Sequence, residues 1–342
     1  LLTSLLLASI ILILQVPLRQ LALSLVNGSP EVKEHARYYY DVRIYAAPAT
    51  LAIYAFHGWF LGLQNAKIPM YLAIFSNLLN MIASYLLVYK LNWGTAGVAW
   101  GTVIAQYSTL VLCIFILFSK FKDYLRFFSW QKIKNSEKFK DFFHTNKDLF
   151  IRTIFLLGVL SFFTFKSAQY GDSLLAANSI LLQLAAVMAY AVDAIAFAAE
   201  SLTGRFIENK EKLNELMRTC FRWGIAIGLF FAVTYLLAYR PILSIFTDKT
   251  EILHEASKFR HWAILAALIN PICFIWDGIF IGSTRSKEMR NGMIFCTICV
   301  FIPAYFITLS WQNNGLWLSL TLFNLARGLS LFYYHRTQEA RV

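Results

Sequence analysis

The 342 residues are 58% hydrophobic and only 15% charged, with a mean hydropathy of +0.56. Soluble domains carry about 25% charged residues, so this chain cannot cover a water-facing surface and lipid must be its solvent for much of its length. The formal net charge of +12 raises nucleic acid as a partner, but its charges collect in short stretches between long apolar runs, and no nucleic-acid binding is expected.

A membrane-crossing helix needs about 20 mainly apolar residues. Ten stretches qualify: 1–25, 41–64, 68–89, 95–119, 149–168, 173–205, 219–240, 259–283, 291–310 and 314–334. None alternates with period 2, so helices rather than barrel strands are predicted, an all-α polytopic membrane protein. In the first two, Pro17 and Pro48 predict kinks or local unwinding. The second also carries His57, and the third carries Asn77, Asn80 and Ser84, with the two asparagines on one face. Gly94, Gly97 and Gly101 of the fourth have the small-residue spacing of close helix packing.

The stretch 120–147 is different. Lys120, Lys122, Arg126, Lys132, Lys134, Lys138, Lys140 and Lys147 alternate with Phe127, Phe128, Trp130, Phe139, Phe142 and Phe143, an amphipathic linker suited to an anionic leaflet. Arg152 follows in the fifth span and Arg327 in the last, where bundle clamping or snorkelling is expected of both. The sixth span has ten alanines between Ala176 and Ala199, so its faces suit tight packing. It carries Asn178 and Gln183, then Asp193 and Glu200, which are seven residues apart and share one face. Ionisable groups inside a membrane are costly and mark function by default. A carboxylate there could load and release a proton. Pro271 and Pro303 again predict kinks, and Asp277 ends the chemically interesting set. Asp193, Glu200, Asp277 and His57 are thus candidates for ion coupling. Asn77, Asn80, Ser84, Asn178 and Gln183 are candidates for a substrate cavity.

Positive residues collect on the cytoplasmic side of membrane proteins. About twice as many Lys and Arg lie on the set of connections that includes 120–147 and the C-terminal tail as on the opposite set. Both ends of the chain are therefore expected in the cytoplasm. Cys296 and Cys299 form C-x-x-C inside an apolar run with no second ligand pair, so no metal or redox role is expected. His-Glu-x-x-His, Gly-x-Ser-x-Gly and compact acid–His groupings are missing, and no enzyme is expected.

A shift of 220 positions aligns Gly58 with Gly278, Gly62 with Gly282, Phe60 with Phe280 and Lys67 with Lys287. It pairs the first four spans in order with the last four and places His57 opposite Asp277. The spans at 149–168 and 173–205 have no partner, so about two further helices are expected ahead of Leu1, giving two six-helix lobes of the same topology.

The stretches GWFLGLQNAKIP (58–69), NWGTAGVAWGTVIAQ (92–106), GDSLLAANSILLQ (171–183), DAIAFAAES (193–201) and DGIFIGSTRSKEMRN (277–291) resemble the multidrug and toxic compound extrusion (MATE) family, and its DinF-like branch in particular. The resemblance implies twelve helices in two lobes. It assigns 1–119 to the N-terminal lobe from the third helix on, 120–147 to a linker and 148–342 to the C-terminal lobe. It further implies alternating-access export of amphipathic, often cationic, organic compounds from the cell membrane, driven by H⁺ or Na⁺, with no cofactor, by a single chain. Many relatives carry Asn-x-x-x-Asp where this chain has Asn80 and Ser84, so the coupling ion stays open. The competing reading is a flippase for lipid-linked precursors of the same helix plan. It would favour a cavity rich in cations, whereas the spans supply only Arg19, Arg152 and Arg327.

Overall fold

In the computed structural model, residues 1–25, 30–125 and 136–339 are described, with side chains given except at 22, 24–25, 30–32, 125, 136–145 and 338–339. Arg126, Lys132, Lys134, Phe127, Phe128 and Trp130 of the predicted linker lie outside the described residues. Every regular element among the described residues is helical. The chain divides into two compact units, Leu1–Lys132 and Ile133–Val342.

The first unit contains α1 (Leu2–Ile13), α2 (Gln15–Leu25), α3 (Pro30–Arg43), α4 (Ala47–Gly62), α5 (Lys67–Tyr85), α6 (Gly94–Lys120) and α7 (Lys122–Leu125). The second contains α8 (Ser136–Gln169), α9 (Asp172–Phe206), α10 (Lys210–Leu237), α11 (Tyr239–Phe246), α12 (Thr250–Gly282), α13 (Ser286–Phe295), α14 (Ile302–Ile307) and α15 (Asn313–Glu339). Among the described residues, nine helical stretches are long and apolar enough to cross a membrane, and the pair α1–α2 makes a tenth if it is one span.

The prolines act in three ways. Pro17 cannot bond the Ile13 carbonyl and its ring crowds that group; the helix breaks at Leu14 and α1 and Gln15–Leu21 meet at 65°. Pro48 and Pro303 sit in the first turn of α4 and α14, where no N–H is needed. Each follows a local change of winding, a 3₁₀ turn at Ile44–Ala46 and a π turn at Cys296–Phe301. Pro271 departs from expectation, because α12 runs through it unbroken. Gly228 of α10 lies against Pro271 and against the Ala267 carbonyl that the proline leaves without its helical N–H, so a neighbouring backbone covers the defect.

Lipid removes the hydrophobic driving force between spans, so small residues decide which helices touch. In the first unit Gly101 brings α6 onto α5 at Ser84, and Gly97 brings it onto the π turn Leu86–Lys90 that follows α5, at Leu87 and Val88. A small core of Ile53, Phe56, Phe60, Leu72 and Cys113 lies beside them. In the second unit Gly278 and Gly282 of α12 lie on the backbone of Ala196 and Glu200 of α9, and a β-carbon at either glycine would meet a carbonyl oxygen. One continuous core, including Phe163, Leu181, Met188, Ile275, Phe280 and Trp317, fills this unit.

Candidate functional site

The close approach of α9 and α12 sets two acids side by side. Asp277 precedes Gly278, and Asp193 lies one turn before Ala196, the residue on which Gly278 rests. Asp193 is accordingly within electrostatic range of Asp277. Asp277 is not a lone acid. Its Oδ2 accepts from Arg152 Nη2 of α8 at 2.5 Å and from Arg327 Nη2 of α15 at 2.7 Å. The three side chains are 13%, 14% and 4% exposed for Asp277, Arg152 and Arg327 respectively, so the pairs are largely withdrawn from solvent. Arg327 also donates to Asn324 Oδ1 at 3.0 Å and stacks near Phe323. Both arginines keep a buried Nε without a partner.

The charge count is informative. Two guanidiniums face one carboxylate at Asp277, and Asp193 supplies the second. The group is neutral when Asp193 is ionised and carries one excess positive charge when Asp193 is protonated. Among the described residues neither Asp193 nor Glu200 has an ion pair or hydrogen bond, and both are half-buried. Arg152 and Arg327 therefore clamp the bundle through Asp277, while Asp193 and Glu200 are left unengaged.

The amides separate in the same way. Asn178 is buried and fully used: Nδ2 donates to Ser167 Oγ and Asn313 Oδ1, and Oδ1 accepts from Asn313 Nδ2 and Trp317 Nε1, all within 2.7–3.1 Å. It ties α8, α9 and α15 together. Gln183, five residues further along α9, is exposed and makes no hydrogen bond among the described residues.

In the first unit His57 is half-buried, and its Nε2 is buried without a partner among the described residues, as are Thr50 Oγ1 and Ser84 Oγ. Asn80 Nδ2 donates to Thr102 Oγ1 at 2.9 Å, joining α5 to α6, and Asn77 is exposed. Arg19 binds both oxygens of Asp41, at 2.7 and 2.8 Å. His57 and Asp277, equivalent in the repeat, thus have opposite surroundings. No group of three or more His, Cys, Asp or Glu able to hold a metal occurs among the described residues.

Sequence reasoning missed Asp148, which is fully buried on α8 and pairs with Arg290 of α13. It also missed Asn313, Ser167 and Trp317 as the partners of Asn178. The signal for Asp148 was present, an acid one turn from Arg152 at the start of an apolar run.

A bundle of apolar helices that gathers acids and arginines inside one unit is the architecture of a membrane transporter. Residues 1–86 and 149–306 match the model of the family described as MatE. DNA damage-inducible protein F of Escherichia coli (strain K12) is 34% identical over 328 residues, which cover 94% of this chain and 71% of that protein. The chloroplastic Protein DETOXIFICATION 44 of Arabidopsis thaliana is 27% identical over 85% of this chain and 55% of its own length. A crystal structure of a MATE protein in complex with MaL6 superposes with a TM-score of 0.89 at 19% identity, covering 99% of this chain and 78% of that one. This chain belongs to the MATE family, whose members are multi-pass membrane transporters and not enzymes.

Proposed function

We propose that the protein exports amphipathic organic compounds across the cell membrane in exchange for H⁺ or Na⁺, with Asp193 as the principal coupling acid. The carrying observation is the division of labour at α9 and α12. Asp277 is held by Arg152 and Arg327, while Asp193 beside it has no counter-charge of its own among the described residues. A cation arriving at Asp193 changes the net charge of the whole group, so its binding differs between arrangements that change this surrounding. A ligand shifts an equilibrium between facing states only through such differential affinity. Glu200, two turns along the same face, is the second site on this path. Asn77 and Gln183, unbonded and exposed, suit substrate contact better than Asn178, whose hydrogen bonds are spent within the bundle.

The flippase alternative is weakened by the same geometry. Arg19 is paired with Asp41, and Arg152 and Arg327 share Asp277 within the bundle, so all three are engaged inside the protein rather than gathered as a cation cluster for a pyrophosphate.

Asp193→Asn keeps the size and removes the titratable charge. In reconstituted vesicles with an imposed pH or Na⁺ gradient, this change abolishes gradient-driven dye efflux and leaves equilibrium dye binding largely intact. Efflux at the unsubstituted rate in Asp193→Asn refutes the assignment. The proposed orientation places Glu208 in the cytoplasm and Asp172 outside. Single cysteines at these exposed positions label from opposite faces, and labelling from one face overturns it.

A further inference from the structure

Away from the acid pair, the second unit has a basic basin where α10 begins and α12 and α15 end. A cavity of about 510 Å³ opens between these three helices. Arg218 and Arg222, one turn apart on α10, stand on one side, and His335 and Arg336 of α15 on the other. Its floor is Trp276, 5% exposed, whose ring lies 5.1 Å from Phe221, 6.1 Å from Phe332 and 5.1 Å from His335. Arg218 and Arg222 are exposed and have neither ion pair nor hydrogen bond among the described residues. Glu211 and Glu215 line an adjoining hollow with the same two arginines but do not pair with them, and they do not line the basin itself.

The basin does not end at the rings. A second cavity of about 300 Å³ shares Phe221, Ile225, Trp276 and Phe332 as walls and continues past Ile269, Ile272, Leu325 and Leu329. These residues belong to the membrane-crossing parts of α10, α12 and α15. The basic basin therefore opens directly into an apolar slot between the same three helices.

Each half alone fits a different ligand badly. A soluble anion would satisfy the arginines and leave the slot empty. A lipid with no net charge would fill the slot and leave Arg218 and Arg222 without a net counter-charge. An anionic phospholipid answers both demands, because guanidinium forks match phosphate oxygens and an acyl chain matches the slot. Basic pockets between membrane helices are known to take such headgroups. We propose that this basin and slot form a binding site for one anionic phospholipid, with the phosphate on Arg218, Arg222 and Arg336 and a chain along α10 and α15. The site is independent of the coupling role given to Asp193.

The test is native mass spectrometry of the purified protein titrated with phosphatidylglycerol or phosphatidylcholine of identical chains. Each arginine near such a headgroup is worth roughly fivefold in binding, so three give a preference of about a hundredfold for phosphatidylglycerol. Arg218→Gln/Arg222→Gln/Arg336→Gln, with all three positions exposed, removes that preference. The single change Arg218→Gln lowers it about fivefold and covers the case in which the triple variant does not fold. Ile225→Trp, at an exposed wall of the slot, weakens both lipids alike. Equal binding of the two lipids by the unsubstituted protein, or an unchanged preference in both arginine variants, overturns the site. Displacement of the lipid by glycerophosphate at equal concentration overturns the assignment to lipid, because that competitor has the charge without the chains.

Discussion

Gly58 and Gly62 of α4 and Gly278 and Gly282 of α12 occupy matching places in the repeat, yet their surroundings differ completely. The second pair lies under the backbone of α9; the helix that would correspond to α9 in the repeat is not among the described residues, and beyond α4's own backbone none of these comes within 4 Å of a β-carbon at the first pair. The polar groups nearby follow suit. In the C-terminal unit the buried charges are joined by inter-helix pairs, Arg152 and Arg327 on Asp277 and Arg290 on Asp148. In the N-terminal unit His57 Nε2, Thr50 Oγ1 and Ser84 Oγ are buried without partners among the described residues. A small-residue motif is permission for contact; its energetic meaning comes from the helix laid on it.

The contrast is most exposed at its charged end. Asp277→Ala leaves two guanidiniums facing each other away from water, and removing one partner of a buried pair costs about 3–5 kcal/mol. His57→Leu, its repeat counterpart, removes a nitrogen that has no partner among the described residues, so stability should be unchanged or slightly raised. Thermal denaturation of both variants in the same lipid checks this, and equal losses would erase the distinction between the units.

Packing gives the next largest difference. Gly278→Val forces a branched side chain into the Ala196 carbonyl, and overpacking of this kind costs about 1–3 kcal/mol. Gly58→Ala meets nothing among the described residues and, with that face uncovered, stabilises the helix by about 0.5–1 kcal/mol. A destabilising Gly58→Ala would mean that the two faces are equally covered.

The smallest effects come from the amides. Asn178→Ala strands Asn313 and Trp317 and should lower stability by about 1–2 kcal/mol. Asn80→Ala, which loses the single bond to Thr102, should cost about 0.6 kcal/mol. Chemical denaturation resolves the two. An Asn178→Ala cost no larger than that of Asn80→Ala would show that the four-residue network is no stronger than one hydrogen bond.

Much of this molecule is readable without coordinates, and the reason is solvent. Hydrocarbon admits only apolar runs with internally satisfied backbones, so composition and run length alone established an all-helical membrane protein and located its ten apolar stretches. The shared face of Asp193 and Glu200 follows from helical periodicity within one segment. The fate of each polar residue does not. Asp277 meets Arg152 from 125 residues away and Arg327 from 50, and Asn178 meets Asn313 and Trp317 across 135 and 139. The cost of a charge in lipid guarantees that a partner is needed, and it says nothing about which residue supplies it. That choice is made where helices touch. In lipid those contacts are set by small-residue fit rather than by a hydrophobic pattern that the sequence displays. Only the tertiary structure could therefore show that Asp277 is clamped and that Asp193, beside it, has no ion pair among the described residues.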